Sequence, residues 1–205
     1  IKIKKLDKKF RIRFINSISG AKPACLIGSK STITGSNLGI FNSIIHLGSD
    51  PSLLGLIMRP NEKVRRDTFN NIVNYKYYTI NHVHPEILEK AHWTSAKFKE
   101  NISEFNSCKL SEEYLDNFFS PYVKESNIKI GMKLIESIDI KVNNTKLIVG
   151  EITNIYCKES FINKDGTVNL QLSDSISVGG LNTYYSLQKI KEMPQAKTKD
   201  LPNFH

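Results

Sequence analysis

Apolar residues fall in short runs along this chain, separated by polar or glycine-containing breaks. Lys2 to Arg13 alternates basic and apolar side chains, which predicts an exposed strand or N-terminal arm. Pro23 to Gly28 and Leu53 to Met58 are continuous apolar runs of strand length, the second stopped by Arg59-Pro60. Ser29 to Asn37, rich in Ser, Thr and Gly, reads as a turn or loop, and Leu38 to Phe41 and Ile44 to Leu47 are apolar again. Asp67 to Tyr75 predicts a short helix: Asp67 is a suitable N-cap, and Phe69, Ile72 and Val73 share a face. Tyr77 to Asn81 is aromatic and β-branched, hence strand. Pro85 to His92, Ser111 to Phe118 and Asn182 to Glu192 predict further helices. Ile128 to Val142 alternates over a long stretch, with a bulge expected near Glu136, and Asn143-Asn144 turns it into a second strand, Thr145 to Tyr156.

Many strands at short intervals, with small helices between them, predict a mainly β chain: a single β-barrel with peripheral helices. A chain of 205 residues has room for one such domain, here residues 1–193 with 1–13 as an arm and 194–205 as a polar tail. Hydrophobic residues make up 40% and charged residues 24%, enough apolar surface for a core without disulfides. Charges interrupt every apolar run before spanning length, so no transmembrane helix is expected. The start lacks the pattern of a secretion signal, and Cys25, Cys108 and Cys157 form no CxxC pair. A reducing cytoplasm fits, without zinc or disulfide framework.

The formal net charge is +9, which suits an anionic ligand but also follows from a lysine-rich composition. Nucleic acid is disfavoured, because the lysines are spread along the chain and no basic run alternates with stacking aromatics. Gly28-Ser-Lys-Ser31 lacks the glycine spacing of a P-loop. His46, His82, His84 and His92 make no metal-binding pattern, although His82 and His84 would share a strand face. No nucleophile–base arrangement stands out, and Cys25 reads as a small core residue. One cluster remains. Arg59, Lys63, Arg65 and Arg66 lead into a helix that begins Asp67-Thr68, an arrangement that suits a phosphate cradle. On the residues alone, a solvated basic loop is an equal reading.

Several stretches in order resemble the flavin reductase-like, FMN-binding split-barrel family. They include Asn16 to Pro23, Ser36-Asn-Leu-Gly-Ile-Phe-Asn-Ser43, Ser49-Asp-Pro51, Arg59-Pro60, Asp67 to Ile72, Tyr78 to His82, Val149-Gly-Glu151 and Gly180-Leu-Asn-Thr-Tyr184. The resemblance spans Asn16 to Lys191 and implies a Greek-key split barrel. It also implies a homodimer with one FMN per subunit at the interface and a small-molecule substrate. Ser31, Thr32, Ser36 and Asn37 would approach the flavin and its ribityl chain. Phe41, Asn42 and Ser43 would lie against the ring, with Asn42 where the family commonly has Ser. Arg59, Arg66 and Thr68 would hold the phosphate, and Asn81 joins the expected cofactor set. The activity implied is hydride transfer from NADH or NADPH through FMN to free flavin or another acceptor. That chemistry resides in the cofactor and needs no dedicated acid or base. A non-catalytic flavin-binding protein is the alternative.

Overall fold

The computed structural model describes residues 1–60, 65–99 and 102–203. Its centre is a seven-stranded antiparallel sheet curled into a barrel. The strands are β2 (Cys25–Ser31), β3 (Gly35–Phe41), β4 (Ile44–Ser49), β5 (Ser52–Met58), β6 (Tyr77–His82), β9 (Ile128–Ile140) and β10 (Thr145–Cys157), in the order β3-β2-β6-β9-β10-β5-β4. The two edge strands β3 and β4 are joined through Asn42 and Ser43 but do not pair with each other, which is the split in the barrel. The expected mainly β split barrel is the fold observed.

Period-two patterning decides which face of each strand turns inward. Ile27, Leu56, Met58, Tyr78, Ile80, Met132 and Ile148 fill the interior. Helix α2 (Asp67–Tyr75) adds Ile72 to that layer and packs Phe69 against it. The opposite face of β2 carries Leu26 into a second apolar layer with Leu38, Val83, Ile87, Phe105 and Val178. Helices α3 (Leu88–Trp93) and α4 (Glu104–Ser107) cover this layer. So does a small sheet in the order β1 (Lys22–Pro23), β11 (Ile176–Gly179), β12 (Thr183–Ser186). Because β2 is buried on both faces, its sequence is a continuous apolar run instead of an alternating one. The β9–β10 hairpin shifts register between Val149↔Glu136 and Gly150↔Leu134, leaving Ile135 as the extra residue next to the expected position.

Five local expectations are corrected. Residues 1–13 are not a strand: a 3-10 turn (Ile3–Lys5) precedes helix α1 (Lys8–Ile18). Asp7 caps α1, accepting from the backbone N–H groups of Lys9 (2.8 Å) and Phe10 (3.1 Å), and Phe10, Phe14 and Ile18 recur at helical spacing. Within Ser29 to Asn37 the expected turn is confined to Thr32–Thr34, and the flanking residues are strand, with Ser31 paired to Gly35 at the end of a hairpin. Gly35, at φ +83°, supplies the left-handed residue. Ser111 to Phe118 is not a helix. β7 (Glu112–Glu113) pairs with β8 (Tyr122–Val123), and Asp116 and Asn117 at φ 49° and 57° break any helical path. Asn182 to Glu192 is also no helix, since Tyr184 and Tyr185 pair with Val178 and Ser177 in β12–β11. Within α2, Arg66 occupies the capping position and Asp67 is the first helical residue; neither side chain closes a cap bond.

Candidate functional site

Strand β3 alternates its side chains across the sheet. Asn37, Gly39 and Phe41 face α2, whereas Ser36, Leu38 and Ile40 face the outer layer. The first turn of α2 lies over the inner set. Asn37 Nδ2 donates to Thr68 Oγ1 at 2.9 Å. Ser29 Oγ accepts from Asn71 Nδ2 at 3.2 Å, and Asn37 Nδ2 lies 3.5 Å from the same oxygen. Thr68 is buried and spends a lone pair on Asn37, which leaves its hydroxyl proton to donate elsewhere. Gly39 keeps this surface open: a Cβ there would come 3.1 Å from the Phe41 ring and 3.7 Å from Thr68 Oγ1.

Two guanidinium groups complete the arrangement. Arg59 follows β5, and Arg66 precedes α2. Burial, and then the charge of Arg59, hold the Arg66 guanidinium below its usual range. The Arg66 Nε–H is buried and has no hydrogen-bond partner among the described residues. A buried, unanswered donor costs about 1–3 kcal/mol. An anion between Arg59, Arg66 and Thr68 would satisfy that donor and screen the like charges. The residues present therefore fit a phosphate monoester. Lys63, the fourth cation of the expected cradle, lies outside the described residues.

The remaining expected residues are dispersed. Ser31 Oγ and Thr32 Oγ1 both bond the Tyr75 hydroxyl, at 3.2 and 2.9 Å, at the far end of α2. Ser31 also accepts from the backbone of Ile33 and Thr34, so it organises its own turn. Ser36 points to the opposite face and donates to the Glu112 carboxylate. Asn42 and Ser43 sit at the β3–β4 junction: Asn42 Nδ2 donates to the Gly180 carbonyl at 3.1 Å, and Ser43 Oγ to Asn42 Oδ1 at 3.2 Å. Asn81 is fully enclosed in the barrel wall. Its amide is spent on Leu26 O (3.1 Å), Thr79 Oγ1 (2.9 Å) and the Val123 N–H (3.0 Å), so the geometry makes it a structural strut rather than a ligand contact.

Two contributors were given no role in the sequence reading, Asn71 and Glu104. Asn71, inside the stretch Asp67 to Ile72, donates to Ser29 and anchors the amide network. The Glu104 carboxylate accepts from the Leu38 N–H at 2.9 Å and caps the open edge of β3, and burial pushes its carboxyl up. The histidines are otherwise engaged: His82 Nδ1 bonds Ser175 Oγ at 3.0 Å, and His84 Nε2 bonds Glu125 O at 2.9 Å. Burial lowers His82 to about 4. Burial pushes the Cys25 thiol up to about 12, which leaves it without thiolate character. Among the described residues, no group of three His, Cys, Asp or Glu side chains is placed to hold a metal ion. No helix there is long and apolar enough to cross a membrane.

Comparison with known proteins gives the context. A family model described as the flavin reductase like domain matches residues 19–169. A crystal structure of a candidate flavin reductase with a split barrel domain from Shewanella frigidimarina superposes with a TM-score of 0.89. It shares 41% identity, with 95% of this chain and 96% of that chain covered. Nitrilotriacetate monooxygenase component B from Bacillus cereus has the same fold, with a TM-score of 0.83 at 19% identity over 94% of this chain and 97% of that chain. An uncharacterized protein of Aquifex aeolicus is 26% identical over 151 residues, 71% of this chain and 75% of its own length.

Proposed function

The chain belongs to the flavin reductase like domain family, and from that premise we propose that it binds FMN and takes hydride from NADH or NADPH, passing electrons to free flavin or another acceptor. The observation that carries the FMN reading is the buried Arg66 Nε, unpartnered among the described residues, beside Arg59 and Thr68. A flavin lacking phosphate would leave that donor unanswered. FMN, when bound, supplies the ring that accepts and returns the hydride.

The chain's own groups perform binding and orientation. Arg59 and Arg66 neutralise the phosphate, and Thr68 donates to it while Asn37 fixes the hydroxyl's rotation. Phe41, beside the bare backbone of Gly39, offers an apolar surface to a flat ring. Asn42 holds the Gly180 loop against the β3–β4 junction and so sets the width of the opening at the ring. Ser31, Thr32 and Ser36 stand further away and act on the hairpin's shape. The net charge of +9 draws anionic nucleotides inward.

A homodimer belongs to the same reading. The outer face of β4-β5-β10-β9 is apolar where an exposed sheet face is ordinarily polar. Ile45, Leu47 and Ile138 remain 44%, 41% and 40% exposed there. Ile45, Leu47 and Leu147 converge over Gly55, within 2.8–3.2 Å of where its Cβ would stand. A second subunit covering this face would bring two cradles to one interface. The three free thiols suit a reducing cytoplasm.

The test is the visible spectrum of the concentrated protein, with mass analysis of whatever denaturation releases, followed by titration with FMN. The expected outcome is a yellow protein releasing FMN, bleached by NADH or NADPH under anaerobic mixing. Failure to take up FMN at micromolar concentration overturns the cofactor assignment. Bound FMN that neither nicotinamide reduces leaves a flavin-binding protein without this turnover.

A further inference from the structure

Helix α1 and the β11–β12 hairpin enclose a groove of about 930 Å³ that the flavin reading does not use. None of the eleven residues of α1 is buried, and Phe10 is 55% exposed. An isolated helix of this length is marginal in water. Phe10 and Phe14 stack on one wall, with centroids 5.9 Å apart and planes at 20°. Tyr185 stands on the other wall, its ring held over Gly179, where a Cβ would lie 2.8 Å from the ring edge. The walls meet where Gly180, at φ +65°, brings the hairpin loop to Ser17: a Cβ at 180 would stand 3.7 Å from Ser17 Cβ.

Ser17 and Thr183 add hydroxyls to the lining, and its two larger polar side chains are Arg13 and Asn182. Neither makes a side-chain hydrogen bond or ion pair among the described residues. The first thirteen residues hold seven cationic side chains against one carboxylate, Asp7. Flat aromatic walls with an unpaired guanidinium fit a planar base joined to an anion. Gly180 in the groove wall also accepts from Asn42 Nδ2 at 3.1 Å, which ties the groove to the residue that follows β3. Its volume lies in the range that small-molecule sites occupy.

We propose that this groove seats the adenosine diphosphate half of the hydride donor. The adenine stacks between Phe14 and Tyr185, and the pyrophosphate meets Arg13 and the Asn182 amide. The nicotinamide then emerges past Gly180 toward the flavin ring. This assignment rests on the reductase reading, but its recognition chemistry is tested separately.

The probe is ADP-ribose, which carries the adenine and pyrophosphate but no nicotinamide. It is titrated calorimetrically into the full-length protein with and without saturating FMN, so the groove is read whether or not flavin is taken up. Wild type binds the probe. Arg13→Glu weakens binding at least tenfold, Phe14→Ala and Asn182→Ala each severalfold, and all three retain wild-type FMN affinity. Asn182→Ala tests the wall opposite α1, so the result does not depend on the helix tolerating substitution. Absence of binding to wild type overturns the proposal, as does binding unchanged in all three variants. Self-association abolished by Arg13→Glu, without any ADP-ribose signal, assigns the groove to a second copy of the chain and overturns it equally. Failure of FMN binding alone removes the flavin reading and leaves the groove result standing.

Discussion

Arg66 concentrates the electrostatics of the site in one side chain. It is partly desolvated, it faces Arg59, and its Nε–H has no acceptor among the described residues. Replacing Arg66 and Thr68 together by Ala removes the groups that can recognise a phosphate while leaving the ring surface at Gly39 and Phe41. Charge-assisted contacts are worth roughly 1.5–3 kcal/mol each. FMN affinity is therefore expected to fall at least tenfold, with riboflavin affinity changed little, by fluorescence titration of both ligands. Equal losses for the two would place the phosphate elsewhere. At this scale the sequence was readable where chemistry is local. The basic cluster Arg59, Lys63, Arg65 and Arg66 ahead of Asp67-Thr68 was visible as a candidate cradle, with a solvated loop as an equal reading, and the family resemblance narrowed it to Arg59, Arg66 and Thr68. It was unreadable where burial is set by distant strands. Asn81 is a polar residue in a matching stretch, and nothing near it in the chain reveals that Leu26, Thr79 and Val123 consume its amide. Ser36 and Asn37 are neighbours in sequence, yet β3 sends them to opposite faces.

Elements form where local preference and tertiary pairing agree, and the exceptions have identifiable causes. The β9–β10 hairpin was legible because its alternation runs for a dozen residues and its turn is Asn143-Asn144. α1 was misread because Phe10, Ile12 and Phe14 satisfy period two while Phe10, Phe14 and Ile18 satisfy the helix; the Asp7 cap decides between them. Residues 183–186 are Thr-Tyr-Tyr-Ser, a strand-favouring sequence, and their pairing with β11 follows that preference against the helix expected from Asn182 to Glu192. Inside the barrel, β10 passes directly over Tyr78. A Cβ on Gly150 would overlap the Tyr78 hydroxyl and stand 3.0 Å from Met132 Cε. Tyr78 is completely buried and its hydroxyl has no partner among the described residues. Gly150→Ala should thus cost about 1–3 kcal/mol through overpacking. For a chain of this size that lowers Tm by roughly 2–4 °C per kcal/mol. Tyr78→Phe removes both the obstructing oxygen and an unsatisfied buried group, so it should be neutral or stabilising alone and should rescue Gly150→Ala. A double variant no more stable than Gly150→Ala itself would show that the strain lies in the backbone.

For the whole molecule, the continuous apolar run of β5 has a double meaning. Leu56 and Met58 face the barrel interior, while Gly55 and Ile57 face outward beneath Ile45, Leu47 and Leu147. The sequence showed the run but not that one of its faces lacks a cover, because outward exposure depends on the curl of the entire sheet. We expect light scattering to report a dimer at micromolar concentration, and Ile45→Lys with Leu47→Lys to give a folded monomer with weakened FMN binding. A wild-type monomer that binds FMN at full affinity would separate the cofactor site from the assembly.

The pairing of β1 with β11 joins Lys22 to Val178 and Pro23 to Ser177. Close by, the Ala24 N–H donates to Ile176 O and the Ile176 N–H to Val83 O. Seen from the ribosome, this is a clasp whose two halves are made far apart in time. At about 5–20 residues per second, the early strand waits on the order of ten seconds or more for its partner. Throughout that interval Leu26, Leu38 and Val83 lack one wall of their apolar layer. The nascent chain therefore presents a half-finished apolar surface until Ile176–Gly179 has been synthesised, and a message truncated before the Ile176 codon would yield a product without that wall.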